Sequence, residues 1–338
     1  MKIATIYHYY ELNETYKDNF VYFLNTSIVE EIEYFFYISG SCSIELPKLS
    51  NVQYINIANK NNDFGAVVEF SRDKRSFNFD AYIFVNSSVR GPFMPSYYSF
   101  NWYEIFISKL SNNIAMVGSS INLLPEDALI SDYFKKKFSF DPPYIHVQTT
   151  AYALSNEGYR VLSKKGFFNT NETLKKNDVI SRYEILLSQI LLNNGFSIAS
   201  ILPTQDEFSF SKRDVKFLGT SKKGDPLRKT AFYGRTLTPV ESVFIKTGRS
   251  LISDKELASH TFTSLVPNDL NSFLTTDGLN LFQRSLEKLH ADEPFTITME
   301  QLKLVLNKKS FLIILTLFSI MIAFSIIQSF FLISTISP

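Results

Sequence analysis

Asp63, Phe64, Gly65 and Ala66 follow an Asn-rich turn in the stretch NIANKNNDFGAVVEF, which starts at Asn56. At the start of a helix Asp63 is a natural N-cap. The same geometry also suits a ligand: backbone N–H groups at a helix N-terminus, with Gly65 permitting close approach, can meet a diphosphate or ribose while the carboxylate holds a hydroxyl or a base edge. A second polar cluster lies in FDAYIFVNSSVRGPFMP, where an apolar run ends in Asn86, Ser87 and Ser88, followed by Arg90 and a Gly91-Pro92 turn. Small polar groups beside an arginine at a strand end suit a sugar phosphate better than a core, and the alternative is an ordinary turn with Arg90 solvated. His8, His146, His260 and His290 are far apart and show no metal-ligand spacing. No Gly-rich phosphate loop, G-x-S-x-G elbow or H-E-x-x-H helix occurs, which removes the common NTPase and hydrolase classes.

The elements that must position these residues read as an α/β sheet with crossover helices. Candidate strands are Ile3 to Tyr7, Ile32 to Ile38, Val52 to Ile57, Ala81 to Val85 and Ile114 to Ser119, with helices expected over Tyr16 to Leu24, Ala66 to Arg72 and Trp102 to Leu110. The strands are nearly continuous Val/Ile/Phe/Tyr runs, as a sheet covered on both faces requires. Ligands of such sheets collect at the carboxyl ends of the strands, which marks the loops after Tyr7, Ile57 and Val85. A further strand is expected from Tyr144 to Leu154, then helices over Asn156 to Lys165 and Asp178 to Asn194, and a strand from Phe196 to Leu202. Phe208 to Arg235 is polar, basic and punctuated by Gly and Pro, a long surface loop. Residues after 250 read as helices and turns, with helical periodicity in LNSFLTTDGLNLFQRSLEKLH.

The 338 residues carry a formal net charge of +1, so no global attraction to nucleic acid is implied. Cys42 is the single cysteine, which excludes an intramolecular disulfide and a Cys-rich zinc site. The run FLIILTLFSIMIAFSIIQSFFLIS, Phe311 to Ser334, has no charged residue. At about 1.5 Å per residue, as a helix it reaches about 36 Å, enough to cross a hydrocarbon core of about 30 Å. Lys308 and Lys309 precede it and no signal-peptide pattern opens the chain, so the expectation is a single-pass C-terminal anchor with the preceding domain facing the cytoplasm.

The order YHYYE, N-x-x-DFGA, FVNSSVRGPF, HVQTTAYAL and YGRTLTPVESVFIKTGR resembles a group of bacterial and viral glycosyltransferases that includes rhamnan-synthesis and capsule or lipopolysaccharide sugar transferases. The resemblance runs over residues 1–250. It implies a GT-A-like fold, a Rossmann-like mixed sheet with flanking helices; beyond it the residue pattern gives a helical extension over 251–307 and the membrane segment over 308–338. It implies a nucleotide-sugar donor and a glycan or lipid-linked acceptor, while the apolar tail and its flanking lysines make membrane lipid a neighbour. The donor side would comprise His8, Asp63, Gly65, Asn86, Ser87, Ser88 and Arg90, and the acceptor side His146 and Gln148, which equally suit a satisfied polar pair at a sheet edge. RYEILLSQILLNNGFSI resembles the acidic helix of such enzymes, which makes Glu184 the candidate base, with Asp178, Asp127 and Asp141 as substitutes.

In GT-A enzymes an Asp-x-Asp usually ends the fourth strand and holds a divalent metal. Here Asn86-Ser87-Ser88 stands at that place, so use of Mn²⁺ or Mg²⁺ is left open; neutral side chains bind such ions poorly. Arg90 or the basic loop would then neutralise the leaving diphosphate, and Asp206 and Glu207 are alternative metal ligands. The competing classes are a nucleotide- or carbohydrate-binding scaffold on a degenerate transferase fold, and a tail-anchored adaptor.

Overall fold

The structure, a computed structural model, describes residues 1–170, 172–205, 207, 224–266 and 273–290. The expected membrane helix, Asp206 and residues 208–223 of the basic loop lie outside them. Among the described residues no helix is long and apolar enough to cross a membrane.

The chain runs β1 (Ile3–Tyr10), α1 (Glu14–Ser27), β2 (Ile32–Ser39), β3 (Val52–Ile57), α2 (Phe64–Arg72), β4 (Ala81–Asn86), β5 (Val89–Arg90), α3 (Glu104–Ile107), β6 (Ile114–Gly118), β7 (Ile121–Leu124) and α4 (Leu129–Phe138). It continues through β8 (Tyr144–Val147), β9 (Ala151–Ser155), α5 (Asn156–Lys164), α6 (Lys176–Val179), α7 (Leu186–Asn193), β10 (Ser197–Ser200), α8 (Pro239–Ser242), β11 (Ile245–Lys246), α9 (Asp254–Leu265) and α10 (Thr276–His290). A seven-stranded sheet has the order β10-β6-β9-β4-β1-β2-β3. It is parallel except for β9, which pairs antiparallel with both β4 and β6. This mostly parallel mixed sheet fits the GT-A-like architecture expected from the sequence.

Alternation along β1 explains why both faces are apolar. Ala4 and Ile6 join one buried cluster with α2, α5 and α7, whereas Tyr7 and Tyr9 join the other, under α1, α9 and α10. On the second face the Tyr7 ring packs on Phe20 and Phe23, with centroids 4.9 and 4.7 Å away. Helix starts are set by short polar side chains: Asn13 accepts from the Tyr16 amide at 3.1 Å, Ser155 from that of Gly158 at 3.1 Å, and Ser253 from that of Glu256 at 3.1 Å. Thr238 and Glu241 form a reciprocal capping box on α8, with a proline at its first turn.

Three expected elements are corrected. Tyr144 to Leu154 is two strands in different sheets, because at Gln148 to Thr150 the backbone leaves the ladder: the Gln148 amide donates to the Ser120 carbonyl, and the Thr150 carbonyl accepts from the Asn86 amide. The helix expected over Trp102 to Leu110 is one turn, Glu104–Ile107. The long helix Asp178 to Asn194 begins earlier, at Lys176, and is interrupted by a π-helical stretch, Ile180–Ile185, between α6 and α7. Such stretches are frequent at functional sites, and Glu184 lies within this one.

Candidate functional site at the strand carboxyl ends

Of the polar residues singled out in the sequence, His8, Asp63 and Asn86 come together where β1, β3 and β4 end. A small pocket is lined by Ile6, His8, Asp63, Phe64, Ala66, Val67, Phe84, Val85, Asn86, Thr149 and Tyr152. Asn86 is its organiser. Its Nδ2 donates to Asp63 Oδ2 at 2.7 Å, while its Oδ1 accepts from the amide and hydroxyl of Ser88. The Asn86-Ser87-Ser88 turn is therefore a built device that fixes a carboxylate.

Asp63 does not cap α2 with its side chain as expected; its backbone is already helical and the carboxylate is committed to Asn86. Burial raises its pKa, with Lys246 and Asn86 acting in the opposite direction. Gly65 has a structural reason: a Cβ there would stand 2.4 Å from the Lys60 carbonyl oxygen. Its amide donates to the Asn62 carbonyl at 3.1 Å, so close packing of the preceding turn uses the space and the donor that were expected to meet a phosphate. Burial holds the His8 imidazole at about 4, neutral at neutral pH, and its Nε2 pairs with Ser39 Oγ at 2.7 Å. The Ser87 hydroxyl ties the turn to the Tyr10 backbone.

Arg90 is turned away from this pocket. Its guanidinium donates to Asn19 Oδ1 at 3.0 Å and Thr261 Oγ1 at 3.1 Å and faces Asp18 at 3.6 Å, between α1 and α9. At 5% exposure it is a buried structural cation, and burial lowers its pKa even against the Asp18 carboxylate.

The positive charge at the site comes instead from the segment that pairs with this turn. β11 runs antiparallel to β5, setting Lys246 opposite Val89 and Ile245 opposite Arg90. Gly91 makes the crossing possible: its φ is +155° and a Cβ would stand 2.4 Å from the Val243 carbonyl oxygen. Thr247 closes the register, its amide and hydroxyl both donating to the Ser88 carbonyl at 3.2 Å. Arg249, in the 3₁₀ turn that follows, is bound to Asp225 and donates to the Leu227 carbonyl at 2.9 Å. Asp225 is placed by a tight turn at Gly224, whose carbonyl accepts from the Leu123 amide at 2.7 Å.

Glu184 faces this group. Burial, then the Asp63 charge, push its pKa up to about 7, with Lys246 and Arg249 pulling the other way and Asp225 adding to the rise. Lys246 is reciprocally lowered, by burial and then by Arg249, while Glu184, Asp63 and Asp225 oppose the shift. A partly exposed glutamate poised near neutrality beside cations is suited to take a proton from a bound hydroxyl. The substitutes considered for it are elsewhere: Asp178 is bound to Lys137 and Tyr133, Asp141 pairs with Lys135 at 3.2 Å, and Asp127 is exposed.

His146 lies buried on β8, its Nδ1 at 3.1 Å from the Tyr144 carbonyl. Burial lowers its pKa, with Asp225 opposing. Gln148 accepts from Asn122 at 3.3 Å. Among the described residues no three His, Cys, Asp or Glu side chains are arranged to hold a metal ion. Asn86 spends both ends of its amide inside the protein, and Glu207 accepts from Ser197 Oγ at 2.9 Å. The described donor set does not fit a divalent ion at the end of β4.

Lys246, Arg249 and Asp225 were not singled out in the sequence. The one available signal was the cluster of charge and turn residues in VFIKTGR, which acquires meaning only through pairing with Val89-Arg90.

No protein-family model matches the chain, and no curated protein does. Among solved structures it is similar to the galactosyltransferase LgtC in complex with donor and acceptor sugar analogs, at 10% identity and a TM-score of 0.36 over 85% of this chain and 96% of that one. It is also similar to S. aureus TarS residues 1–349, at 10% identity and a TM-score of 0.34 over 89% and 77%. A third is the apo bifunctional glycosyltransferase WbbM, at 8% identity and a TM-score of 0.37 over 85% of this chain and 52% of that one. Likenesses at this level carry no inference about activity, which rests on the site alone.

Proposed function

We propose that the protein is a glycosyltransferase that moves a sugar from a nucleotide-sugar to a hydroxyl of a glycan or lipid-linked acceptor. The observation that carries this is Glu184, held near neutrality on a π-helical turn among Asp63, Lys246 and Arg249 at the carboxyl ends of the strands. In this proposal the Glu184 carboxylate takes the acceptor proton as the acceptor oxygen bonds to the anomeric carbon. The bond from that carbon to the diphosphate oxygen breaks, and the nucleoside diphosphate leaves with the electron pair. Lys246 and Arg249 stabilise the charge that develops on it, the work a divalent ion would otherwise do.

The apolar run Phe311 to Ser334 supports a membrane anchor. Tethering the site beside a lipid-borne acceptor raises their effective concentration without new contacts, and Lys308 and Lys309 favour a cytoplasmic face.

The test is nucleoside diphosphate release from a panel of UDP-, GDP- and dTDP-sugars by the full chain in detergent, with and without Mn²⁺ and with lipid-phosphate or glycan acceptors. Turnover lost about 10³-fold in Glu184→Gln with donor binding kept supports the proposal. Nucleotide binding with no turnover under any condition points instead to a binding scaffold, which the absence of a carboxylate at Asn86-Ser87-Ser88 would favour. Absence of nucleotide binding overturns both.

A further inference from the structure

Tyr152 projects from β9 into the same pocket as Asp63 and does something that the transferase proposal leaves unused. Its ring is fixed: it stacks on Phe84 with centroids 4.9 Å apart and planes 19° from parallel, and the residue is 1% exposed. Its hydroxyl is fully buried, yet finds no hydrogen-bond partner among the described residues. A buried phenol without a partner is costly, on the order of 1–3 kcal/mol, and most such groups in folded proteins are satisfied.

The pocket wall explains what satisfies this one. Tyr152 and Asp63 both line it, and the Asp63 charge is near enough to act on the phenol. Asn86 occupies Asp63 Oδ2 and Asp63's own backbone N–H also bonds the carboxylate, which leaves it acceptor capacity to spare. A fixed donor and a fixed acceptor thus line one small space whose other walls are apolar at Ile6, Phe64, Ala66, Val67, Phe84 and Val85 and polar at His8, Asn86 and Thr149. A hydroxyl group has the complementary chemistry, because it donates one hydrogen bond and accepts others. A phosphate, which only accepts, would meet the Asp63 carboxylate unfavourably.

We propose that Tyr152 and Asp63 form a donor–acceptor pair that reads one hydroxyl of the bound ligand, on the ribose or on the transferred sugar. The Tyr152 hydroxyl donates to it and Asp63 accepts from it, with Asn86 holding the carboxylate in place. This rests on the nucleotide-sugar proposal, and its consequence is specificity: the pair selects a ligand that carries a hydroxyl at that point.

Binding of UDP-glucose, UDP-galactose, GDP-mannose and dTDP-rhamnose to the full chain in detergent, followed by calorimetry, identifies the donor to use. Tyr152→Phe keeps the ring stack and removes only the donor. The expected result is about tenfold weaker binding of that donor, at an unchanged melting temperature in the ligand-free protein. If the parent nucleoside diphosphate weakens equally, the hydroxyl is on the ribose, and its 2′- or 3′-deoxy analogue should bind wild type and Tyr152→Phe alike. If only the nucleotide-sugar weakens, the hydroxyl is on the glycosyl group, and a deoxy-sugar donor should erase the difference. Asp63→Asn is a second arm for use if Tyr152→Phe proves unstable, and should lose the same discrimination. Unchanged affinity of Tyr152→Phe for a donor that wild type binds would show that only water fills the space and overturn the inference. No binding of any donor to wild type overturns the transferase proposal, and this one with it.

Discussion

Arg90 and Lys246 sit on the two strands of one two-stranded ribbon, one register step apart, and do opposite things. Directly opposed residues of an antiparallel pair share a face, so Arg90 goes with Ile245 and Lys246 with Val89. The Arg90 face lies against α1 and α9, where the guanidinium is consumed by Asn19, Thr261 and Asp18. The Lys246 face looks toward Asp63 and Glu184, whose charges it feels. A single alternation decides which cation holds the fold together and which is offered to a ligand. Charge near a glycine turn is not by itself a phosphate site; the face on which it stands is what matters.

The largest expected effect tests the buried side. Arg90→Met should cost about 3 kcal/mol of unfolding free energy, because Asn19 Oδ1 loses its donor and a buried ion pair is broken. Asp18 keeps Arg284 at 2.5 Å, which limits the loss. Denaturant titration reads the cost, and turnover per folded molecule should stay near wild type. A fall in turnover or in nucleotide affinity beyond the unfolded fraction would return Arg90 to the ligand and erase the contrast.

Lys246→Met tests the other side. Transfer should fall about 10²-fold, as when one pre-organised cationic donor is removed from a leaving group, while the melting temperature stays within a few degrees or rises. A donor titration with full kinetics separates kcat from KM. If Lys246→Met behaves as Arg90→Met does, losing stability and keeping turnover, both cations are structural.

Much of this was legible beforehand and some could not be. The starts of β1, β2, β3, β4 and β6 match the expected runs residue for residue, since a strand buried on both faces writes itself as continuous apolar sequence. Asp63 and Asn86 meet, as the rule that ligands gather at strand carboxyl ends anticipates, though their hydrogen bond joins residues 23 apart. The tilt of Arg90 away from the pocket was hidden, because it depends on helix α9, more than 160 residues downstream, supplying Thr261. Lys246 was hidden for the same reason: two-residue strands such as β5 and β11 leave no periodicity in the sequence. The π-helical turn under Glu184 likewise has no hydrophobic signature, for RYEILLSQILL reads as an ordinary amphipathic helix.

The pH response sharpens the comparison from the acidic partner of Lys246. Glu184 must be ionised to accept a proton, so with its pKa near 7 the rate should fall about tenfold for each pH unit below that value. Stability should move the other way. The folded pKa lies above the ordinary 4.5, so the folded protein binds this proton more tightly and loses stability as pH rises from about 4.5 to about 7. Glu184→Gln should therefore be the more stable variant above pH 7, by up to about 3 kcal/mol before solvent screening is allowed for. Melting curves at pH 5 and pH 8 give the difference, and a gap that is the same at both would place Glu184 outside the charge cluster.

The smallest effect concerns the residue that joins the two faces. Thr247 Oγ1 donates to the Ser88 carbonyl at 3.2 Å and accepts from Asn19 Nδ2 at 2.9 Å, and Asn19 is also the residue that holds Arg90. Thr247→Val keeps the shape and removes the hydroxyl, which should cost about 1 kcal/mol of stability. One of the two Asn19 Nδ2 N–H groups keeps the Ser87 carbonyl at 2.9 Å while the other loses its acceptor, and the loss of that one bond is the cost. If the threonine also fixes the register that presents Lys246, donor KM should rise a few-fold in Thr247→Val, and the change should largely vanish when Lys246 is already methionine. That non-additivity, about 0.5–1 kcal/mol in a double-mutant cycle, is the quantity to measure. Strict additivity would mean that Lys246 finds its place without help from α1, leaving the two faces of the ribbon energetically independent.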